Sequence, residues 1–275
     1  MKKTLFLFVV VMGFCSFAPK EIVWVAIGDS ITYLNDHPGE TGNRVTTGYM
    51  TRVVEQLPNT SFINQGHNGW TSGGIAKQID SLGIVKADVY SVFLGTNDWW
   101  QGRPLGTMSD YTSNTGNTTV FGSFRIIINK LRTLNAGAKI ILITPMQRVD
   151  FVYINNFKNN AWGSYKEKNG QSLEQFANAV KAVAAYEQFA CVDLYHKKGM
   201  GLKQLVKYKR LKDPATADAY KNYAYPDFIN IPFNPETDAY PYPPEAANIT
   251  YDGLHPSDKG NAMIADLLIE IMKGY

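Results

Sequence analysis

The sequence predicts an α/β fold in which a parallel β-sheet is covered by helices on both faces. Two observations predict it. Short apolar, β-branched runs alternate with segments of helical apolar spacing along the whole chain. The runs are continuously apolar, as is typical of strands buried on both faces. With 45% hydrophobic and 19% charged residues, the 275-residue chain has the composition of a globular protein with a sizeable core.

Five strands and five helices follow from these patterns. The first apolar run, 22–27, stops at Gly28 and is expected to lead into a turn. A stripe of Ile127, Leu131 and Leu134 is typical of a helix with one buried face. Strands are predicted at 22–27, 61–64, 89–94, 139–144 and 190–194, and helices at 48–57, 75–82, 121–134, 173–189 and 256–272.

The segment 220–251 differs from the rest of the chain. It contains six tyrosines and six prolines and cannot form a regular helix. We interpret it as a Tyr/Pro-rich insertion in a single domain over 19–275, since no Ser/Gly-rich linker or internal repeat divides the chain. Long loops in compact domains often carry function. The segment is therefore expected to be either a rigid, well-packed surface loop or a wall of the substrate site.

The N-terminus has the pattern of a secretory signal. A lysine pair precedes an apolar run over 5–14, which is too short to span a bilayer but suits a signal peptide. A small-x-small pattern ending at Ala18 predicts a signal peptide over 1–18 and export to the periplasm or cell exterior. Lipidation of Cys15 is an alternative, although Phe14 is bulkier than the residue usually found before a lipidated cysteine. No transmembrane segment is predicted.

Charge and motif content argue against several classes of protein. The 27 Lys+Arg and 24 Asp+Glu residues nearly balance, so no nucleic-acid partner is expected. Cys191 has no partner cysteine in the body of the chain, which leaves no disulfide within the domain and predicts a buried, inert thiol. There is no metal-binding histidine or cysteine motif, and the glycines of 66–74 lack a phosphate-binding pattern. We therefore expect neither a metal nor another cofactor.

Polar clusters follow the predicted strands, where ligands bind in sheets of this kind. They are, in chain order, Gly28-Asp29-Ser30, the run from Asn64 to Gly69, Gly95-Thr96-Asn97-Asp98, and Asp252-Gly253-Leu254-His255-Pro256. A serine hydroxyl needs a base to become a nucleophile, and the base benefits from a carboxylate that orients it. Ser30, His255 and Asp252 fit these roles. The amides of Ser30 and Gly69 and the side-chain amide of Asn97 could stabilise an oxyanion.

Four motifs resemble the four blocks of the SGNH (GDSL) hydrolases, in family order: Ser30 in Gly-Asp-Ser, Gly69 five residues beyond Asn64, Asn97 in Gly-Thr-Asn-Asp, and His255 in Asp-Gly-Leu-His-Pro. The resemblance implies a three-layer α/β/α, flavodoxin-like fold with a five-stranded parallel sheet. It also implies metal-free ester hydrolysis, with Ser30 as nucleophile, Gly69 and Asn97 as oxyanion donors, His255 as base and Asp252 as its orienting acid. The stretch between Asn97 and Asp252 is longer than in compact family members, which leaves the substrate open.

Aromatic residues near these motifs point to the substrate. Trp99 and Trp100 directly follow the oxyanion motif, and we expect one to be buried and the other to line the cleft. Tyr242 and Tyr251 are further candidates for substrate binding. Export, a serine mechanism and aromatic walls favour an esterase that removes acetyl or other short acyl groups from a glycan or small molecule. A lysophospholipase or thioesterase and a non-catalytic glycan-binding protein remain alternatives, and the oligomeric state is open.

Overall fold

The structure, a computed structural model, describes residues 20–216 and 219–275. Its central sheet has five parallel strands, which lie in the order Thr60–Gly66, Ile22–Gly28, Val89–Phe93, Lys139–Ile143 and Ala190–Val192. Numbered along the chain, these are β2, β1, β3, β4 and β7. The predicted parallel sheet of five strands is confirmed, and its strand order is that of the flavodoxin-like folds.

Alternating side chains of β1 show why the sheet is covered on both faces. Trp24 and Ala26 point into one apolar core, and Val25 and Ile27 point into the other, because successive strand residues face opposite sides. All four side chains have no exposed surface. The strand therefore has to be apolar throughout, as its sequence is.

Nine helices surround the sheet in the described part of the chain, and the longer ones form its two outer layers. In chain order they are α1 Ser30–Tyr33, α2 Tyr49–Gln56, α3 Ser72–Gln78, α4 Thr96–Trp100, α5 Met108–Thr112, α6 Val120–Leu134, α7 Leu173–Glu187, α8 Leu202–Leu205 and α9 Asp258–Met272. Helices α2 and α9 pack on the Trp24 face, and α3, α6 and α7 pack on the Val25 face. The three-layer prediction is confirmed.

Side-chain caps explain where several helices begin. Helix α3 starts three residues earlier than predicted, because the Thr71 side chain accepts the backbone N–H of Gly74. The Ser257 hydroxyl caps α9 in the same way, so this helix starts two residues after Pro256. Helix α7 opens with a capping box between Ser172 and Gln175.

Two small antiparallel hairpins were not predicted. The first pairs β5, Phe151–Tyr153, with β6, Asn156–Ala161. The second pairs β8, Lys209–Lys212, with β9, Tyr220–Tyr223, at the start of the Tyr/Pro-rich segment. The rest of that segment holds only short 3-10 turns, in agreement with the prediction that it contains no regular helix.

Three sequence predictions concern regions away from the functional motifs: the signal peptide with Cys15, the absence of a transmembrane segment, and Cys191. The predicted signal peptide and Cys15 lie outside the described residues. Among residues 20–216 and 219–275, no helix is long and apolar enough to cross a bilayer. Cys191 is half-buried rather than fully buried, and its burial raises the pKa of the thiol to about 11, so it remains a thiol at neutral pH.

Candidate active site

The strand order places the functional motifs around one point of the sheet. Ser30 follows β1 and Asn97 follows β3, and β1 and β3 are the neighbours at which the strand order reverses. In open α/β sheets, the loops separate at this reversal and leave a crevice beyond the carboxyl ends of the strands. The position of the site is therefore a consequence of the topology.

The turn that carries Ser30 is held by two local features. A Cβ at Gly28 would clash with the side chain of Thr32, so the strand can reach the helix only with glycine there. The Asp29 carboxylate accepts the backbone N–H of Ile31 at 3.0 Å and caps the short helix α1. The Ser30 side chain is thereby held at the edge of the crevice.

Ser30, His255 and Asp252 form a continuous hydrogen-bonded chain. The Ser30 Oγ lies 2.8 Å from His255 Nε2, across 225 positions of sequence. The Asp252 Oδ2 lies 2.7 Å from His255 Nδ1, while its Oδ1 accepts the backbone N–H groups of Leu254 and His255. Because the carboxylate holds a proton on Nδ1, Nε2 is left free to accept the proton of the Ser30 hydroxyl.

The turn between Asp252 and His255 is fixed by the chain that follows β4. Gly253 has a φ of 92°, and a Cβ there would clash with the carbonyl of Asp150. The backbone N–H of Val149 donates to the carbonyl of Gly253 at 3.0 Å. This left-handed glycine allows the carboxylate to fold back onto the imidazole three residues later.

The candidate oxyanion donors border the same space. Gly69 has a φ of 74°, which favours glycine, and its carbonyl accepts the Gln101 side-chain amide at 2.8 Å. The Asn97 Nδ2 donates to the carbonyl of Trp70 at 3.1 Å and lies 3.4 Å from Asp29 Oδ2. These contacts orient the Asn97 amide beside the cleft that contains the Ser30 hydroxyl.

Two buried carboxylates lie beneath the site. Burial raises the pKa of Asp29 to about 6, against the opposing effects of the Ile31 N–H and the nearby His255. Burial also raises the pKa of Asp98, although this carboxylate accepts both the N–H and the hydroxyl of Ser72. Asp98 thus fastens α4, which carries Asn97, to the start of α3.

A cleft of about 430 Å³ opens at Ser30 and His255. Its lining includes Ser30, Gly69, Asn97 and His255, so the candidate nucleophile, base and oxyanion donors all border one cavity. Within residues 20–216 and 219–275, no group of three or more His, Cys, Asp or Glu side chains is arranged to hold a metal ion.

The predicted substrate-binding aromatic residues differ in whether they line the cleft. Trp99 is fully buried and its indole N–H donates to the carbonyl of Gln171, whereas Trp100 is half-buried and lines the cleft. Tyr242 and Tyr251 do not line it, and the expectation that they bind substrate needs correction. Both are buried behind the Asp252 turn, where the Tyr242 hydroxyl donates to the carbonyl of Asp150.

The Tyr/Pro-rich segment therefore supports the site from behind. The Tyr251 ring stacks on the His255 ring with centroids 6.0 Å apart, and the Tyr240 hydroxyl donates to the carbonyl of Val152. No residue of 220–251 belongs to the lining of the cleft. Of the two interpretations, the structure matches the well-packed loop.

Several cleft residues were missed from the sequence. Arg148 and the hairpin residues Phe151, Tyr153 and Asn159 line one wall. The Phe151 ring meets the His255 ring edge-on at 5.3 Å. An aromatic run followed by Asn155 and a second asparagine was the one available sign of a hairpin.

This geometry supports acyl transfer. The His255 imidazole can take the Ser30 proton as the Oγ attacks an ester carbonyl, and it can then protonate the leaving alcohol. Water, activated by the same imidazole, completes the hydrolysis of the acyl-enzyme. Ser30, Gly69 and Asn97, whose amides are the candidate oxyanion donors, line the same cleft.

Fold and site together define a serine hydrolase that acts on ester bonds. Comparison with known proteins identifies the family. The model of the GDSL-like lipase/acylhydrolase family matches residues 26–263, and the chain belongs to this family. No curated protein matches the chain.

Solved structures show the same fold. A possible lipase from Chitinophaga pinensis DSM 2588 is 67% identical, with a TM-score of 0.91 over 92% of this chain and 98% of that chain. A protein from Lactobacillus plantarum is 20% identical, with a TM-score of 0.61 over 93% and 98% of the two chains. A mutant of Axe2, an acetyl-xylooligosaccharide esterase from Geobacillus, is 20% identical, with a TM-score of 0.52 over 91% and 94%.

Proposed function

We propose that the protein is an exported carbohydrate esterase that hydrolyses short acyl esters, chiefly acetyl esters, on a sugar. The observation that carries this proposal is the set of polar side chains that lines the cleft beside the Ser30 hydroxyl, alongside the apolar part of the lining. The set includes the side chains of Asn68, Gln101, Asn159 and Glu40, which can donate to or accept from sugar hydroxyls. A sugar needs many such groups, whereas a long acyl chain needs a continuous aliphatic groove.

The aromatic wall supports the same proposal through a different residue from the one expected. Trp100 lines the cleft, but the Arg148 guanidinium and the Lys168 ammonium lie 4.8 and 4.7 Å from its ring centroid. The Trp162 ring contacts it edge-on at 4.6 Å. Tyr153 is half-buried, lines the cleft and is better placed to pack against a sugar.

A second candidate is a lipid acyl hydrolase. It is favoured by the 67% identity with the possible lipase. The aliphatic side chains in the cleft lining are Leu34, Ala161 and Leu254. Ala161 and Leu254 form a small apolar cluster with Phe151, and Trp100 and Tyr153 pack against it. This composition suits a short acyl group better than a long one.

Export remains a proposal that rests on the N-terminal sequence. The lysine pair and the apolar run over 5–14 support a signal peptide or, with Cys15, a lipid anchor. Either route would bring the enzyme to polymeric glycans outside the cytoplasm.

The test is acetate release from acetylated xylan, acetylated pectin and a panel of acetylated oligosaccharides by wild-type protein and the Ser30→Ala variant. We expect the wild type to release acetate from at least one glycan, and Ser30→Ala to release none above the uncatalysed rate. A series of 4-nitrophenyl esters of rising chain length should give the highest kcat/KM at acetate. Turnover of long-chain esters without release from any acylated glycan would favour the lipid acyl hydrolase.

A further inference from the structure

Arg148 is the buried cation of the cleft. It lies five residues beyond the end of β4, and 1% of its surface is exposed. Its Nε and Nη2 donate to the carbonyl of Trp162 at 3.2 and 2.9 Å, and its guanidinium lies over the rings of Trp99 and Trp100. Its backbone is held by hydrogen bonds to Ser164 in both directions. The guanidinium is therefore rigidly positioned.

Among the described residues, no carboxylate forms an ion pair with Arg148. Arg148 and Lys209 are the two buried Lys or Arg side chains of the described residues. Lys209 makes an ion pair with Asp150 at 2.8 Å, but within the part of the chain that the structure describes no Asp or Glu oxygen lies within 4.0 Å of the Arg148 guanidinium. Its Nη1 has no hydrogen bond among residues 20–216 and 219–275. Burying a guanidinium without a partner is costly, and a structural cation is normally paired.

The neighbouring carboxylates, Asp150 and Asp252, make their hydrogen bonds and ion pairs with other groups. Asp150 receives Tyr165, Lys209 and the N–H of Gly163, and Asp252 holds the His255 ring. They act on Arg148 at longer range. Burial lowers the pKa of Arg148 to about 10, so the group still carries its charge at neutral pH.

Because Arg148 lies in the cleft, a bound substrate could supply the carboxylate that pairs with it. Arg148 belongs to the lining of the cavity that also contains Ser30 and His255. Lys168 lies outside the cleft lining, but its ammonium is 4.7 Å from the ring centroid of Trp100, which belongs to the lining. The carboxylate in the cleft lining, Glu40, accepts the Tyr33 hydroxyl at 2.9 Å. Among the residues that the structure describes, Arg148 is the one Lys or Arg in the lining of this cleft.

We propose that Arg148 binds a carboxylate of the substrate, and that the preferred substrates are acyl esters of acidic sugars such as uronic acids. This proposal rests on the proposed carbohydrate esterase function and narrows its substrate class. A carboxylate in the cleft would accept charge-assisted hydrogen bonds from the guanidinium, whose planar fork matches its geometry. It would also neutralise the buried charge.

The experiment compares acetylated oligogalacturonides with the same oligosaccharides after methyl esterification of their carboxylates. The two substrates carry the same acetyl groups and differ in charge. For wild-type protein we expect kcat/KM to be about 10- to 100-fold higher on the acidic form, the range that hydrogen bonds to charged groups contribute. Free galacturonate should also inhibit more strongly than galactose.

Variants assign the preference to its residue. Arg148→Met removes the charge and should bring the ratio of acidic to neutral kcat/KM close to one, and Arg148→Lys should restore it in part. Arg44→Met is the matched control, because Arg44 is a half-buried arginine outside the cleft lining and should leave the ratio unchanged. The wild-type comparison and the inhibition by galacturonate hold even if Arg148→Met does not fold.

The outcomes separate this proposal from the one on which it rests. Equal wild-type kcat/KM on the acidic and methylated substrates overturns the role of Arg148 and leaves the carbohydrate esterase in place. Hydrolysis of 4-nitrophenyl acetate without turnover of any sugar ester overturns both proposals. A preference for 4-nitrophenyl hemisuccinate over the acetate, or for lysophosphatidate over both sugars, would place the anion on the acyl chain or on a lipid and also contradict the proposal.

Discussion

Two cavities open at opposite ends of the central sheet, and the larger of them is not the candidate active site. The cavity at the amino ends of the strands has about 510 Å³ and is lined by the first residues of β1 to β4. The cavity at the carboxyl ends has about 430 Å³ and contains Ser30, Asn97 and His255. No serine, histidine or cysteine belongs to the amino-end lining among the described residues. Strand direction, and not cavity volume, determines where the chemistry lies.

The pKa values of the carboxylates at the two ends of the sheet are shifted in opposite directions. At the carboxyl end, burial raises the pKa of Asp29 to about 6. At the amino end, the hydrogen bond from the Lys20 ammonium lowers the pKa of Asp88, which is only partly buried. The difference shows that the Asp29 carboxylate at the carboxyl end is buried away from water, whereas Lys20 and Asp88 at the amino end form an ordinary surface ion pair.

The largest expected effect tests the oxyanion donor. Asn97→Ala should lower kcat/KM for 4-nitrophenyl acetate by about 10²- to 10³-fold, because one donor to the developing negative charge is lost. The matched change at the amino end, Lys139→Ala, should alter kcat/KM by less than about twofold, since surface substitutions away from the site have small effects. Thermal midpoints separate a loss of folding from a loss of chemistry. Comparable losses in both variants would remove the distinction between the two ends.

A smaller effect tests the burial of Asp29. Between about pH 4 and pH 6, folded Asp29 holds a proton that the unfolded chain has lost, so its contribution to stability falls as the pH rises through this window. Asp29→Asn keeps a capping side chain and removes the titration. Its free energy of unfolding relative to wild type should rise by about 1 to 3 kcal/mol from pH 4 to pH 7.

Urea unfolding at four or five pH values measures this difference. Asp88→Asn is the control of opposite sign, because the pKa of Asp88 is lowered in the folded protein. Its stability relative to wild type should fall as the pH rises to about 4 to 5 and should then stay nearly constant up to pH 7, because both the folded and the unfolded carboxylate are ionised there. A pH-independent difference for Asp29→Asn would contradict the buried carboxylate.

The smallest effect tests the supporting role of the Tyr/Pro-rich segment. Tyr242→Phe leaves the carbonyl of Asp150 without its buried donor and should lower the free energy of unfolding by about 1 to 2 kcal/mol. Because Tyr242 does not line the cleft, kcat/KM should change by less than about threefold. Tyr186→Phe, at an exposed tyrosine, should change neither. A large rise in KM for Tyr242→Phe would return this tyrosine to the substrate site.

Much of the fold could be predicted because its signals are local. The β1 run from Ile22 ends at Gly28, where a Cβ would clash with the Thr32 side chain. Strands and helices alternate along the chain. Such patterns predict the parallel sheet and its two helical layers. The motifs at Ser30, Asn97 and His255 could be found because they follow or precede these elements directly. That the structure brings Ser30 and His255 to 2.8 Å depends on the strand order.

The rest depends on contacts that the sequence does not display. The strand Phe151–Tyr153 is only three residues long, and its partner Asn156–Ala161 is mostly polar and exposed, so neither shows an apolar pattern. Tyr242 and Tyr251 have hydroxyl groups that suit both a cleft and an interior. Only their packing against Asp150 and His255 decides between the two. The role of Arg148 could not be predicted from the sequence, because it depends on the lack of a carboxylate partner among the described residues.

The most direct test of the account is covalent labelling with a fluorophosphonate, followed by mapping of the modified peptide by mass spectrometry. The account predicts a single adduct, on the Ser30 hydroxyl, and a labelling rate at least about 100-fold lower in His255→Ala, because the base activates the nucleophile. An adduct on another residue, or no adduct on protein that still hydrolyses 4-nitrophenyl acetate, would contradict the account.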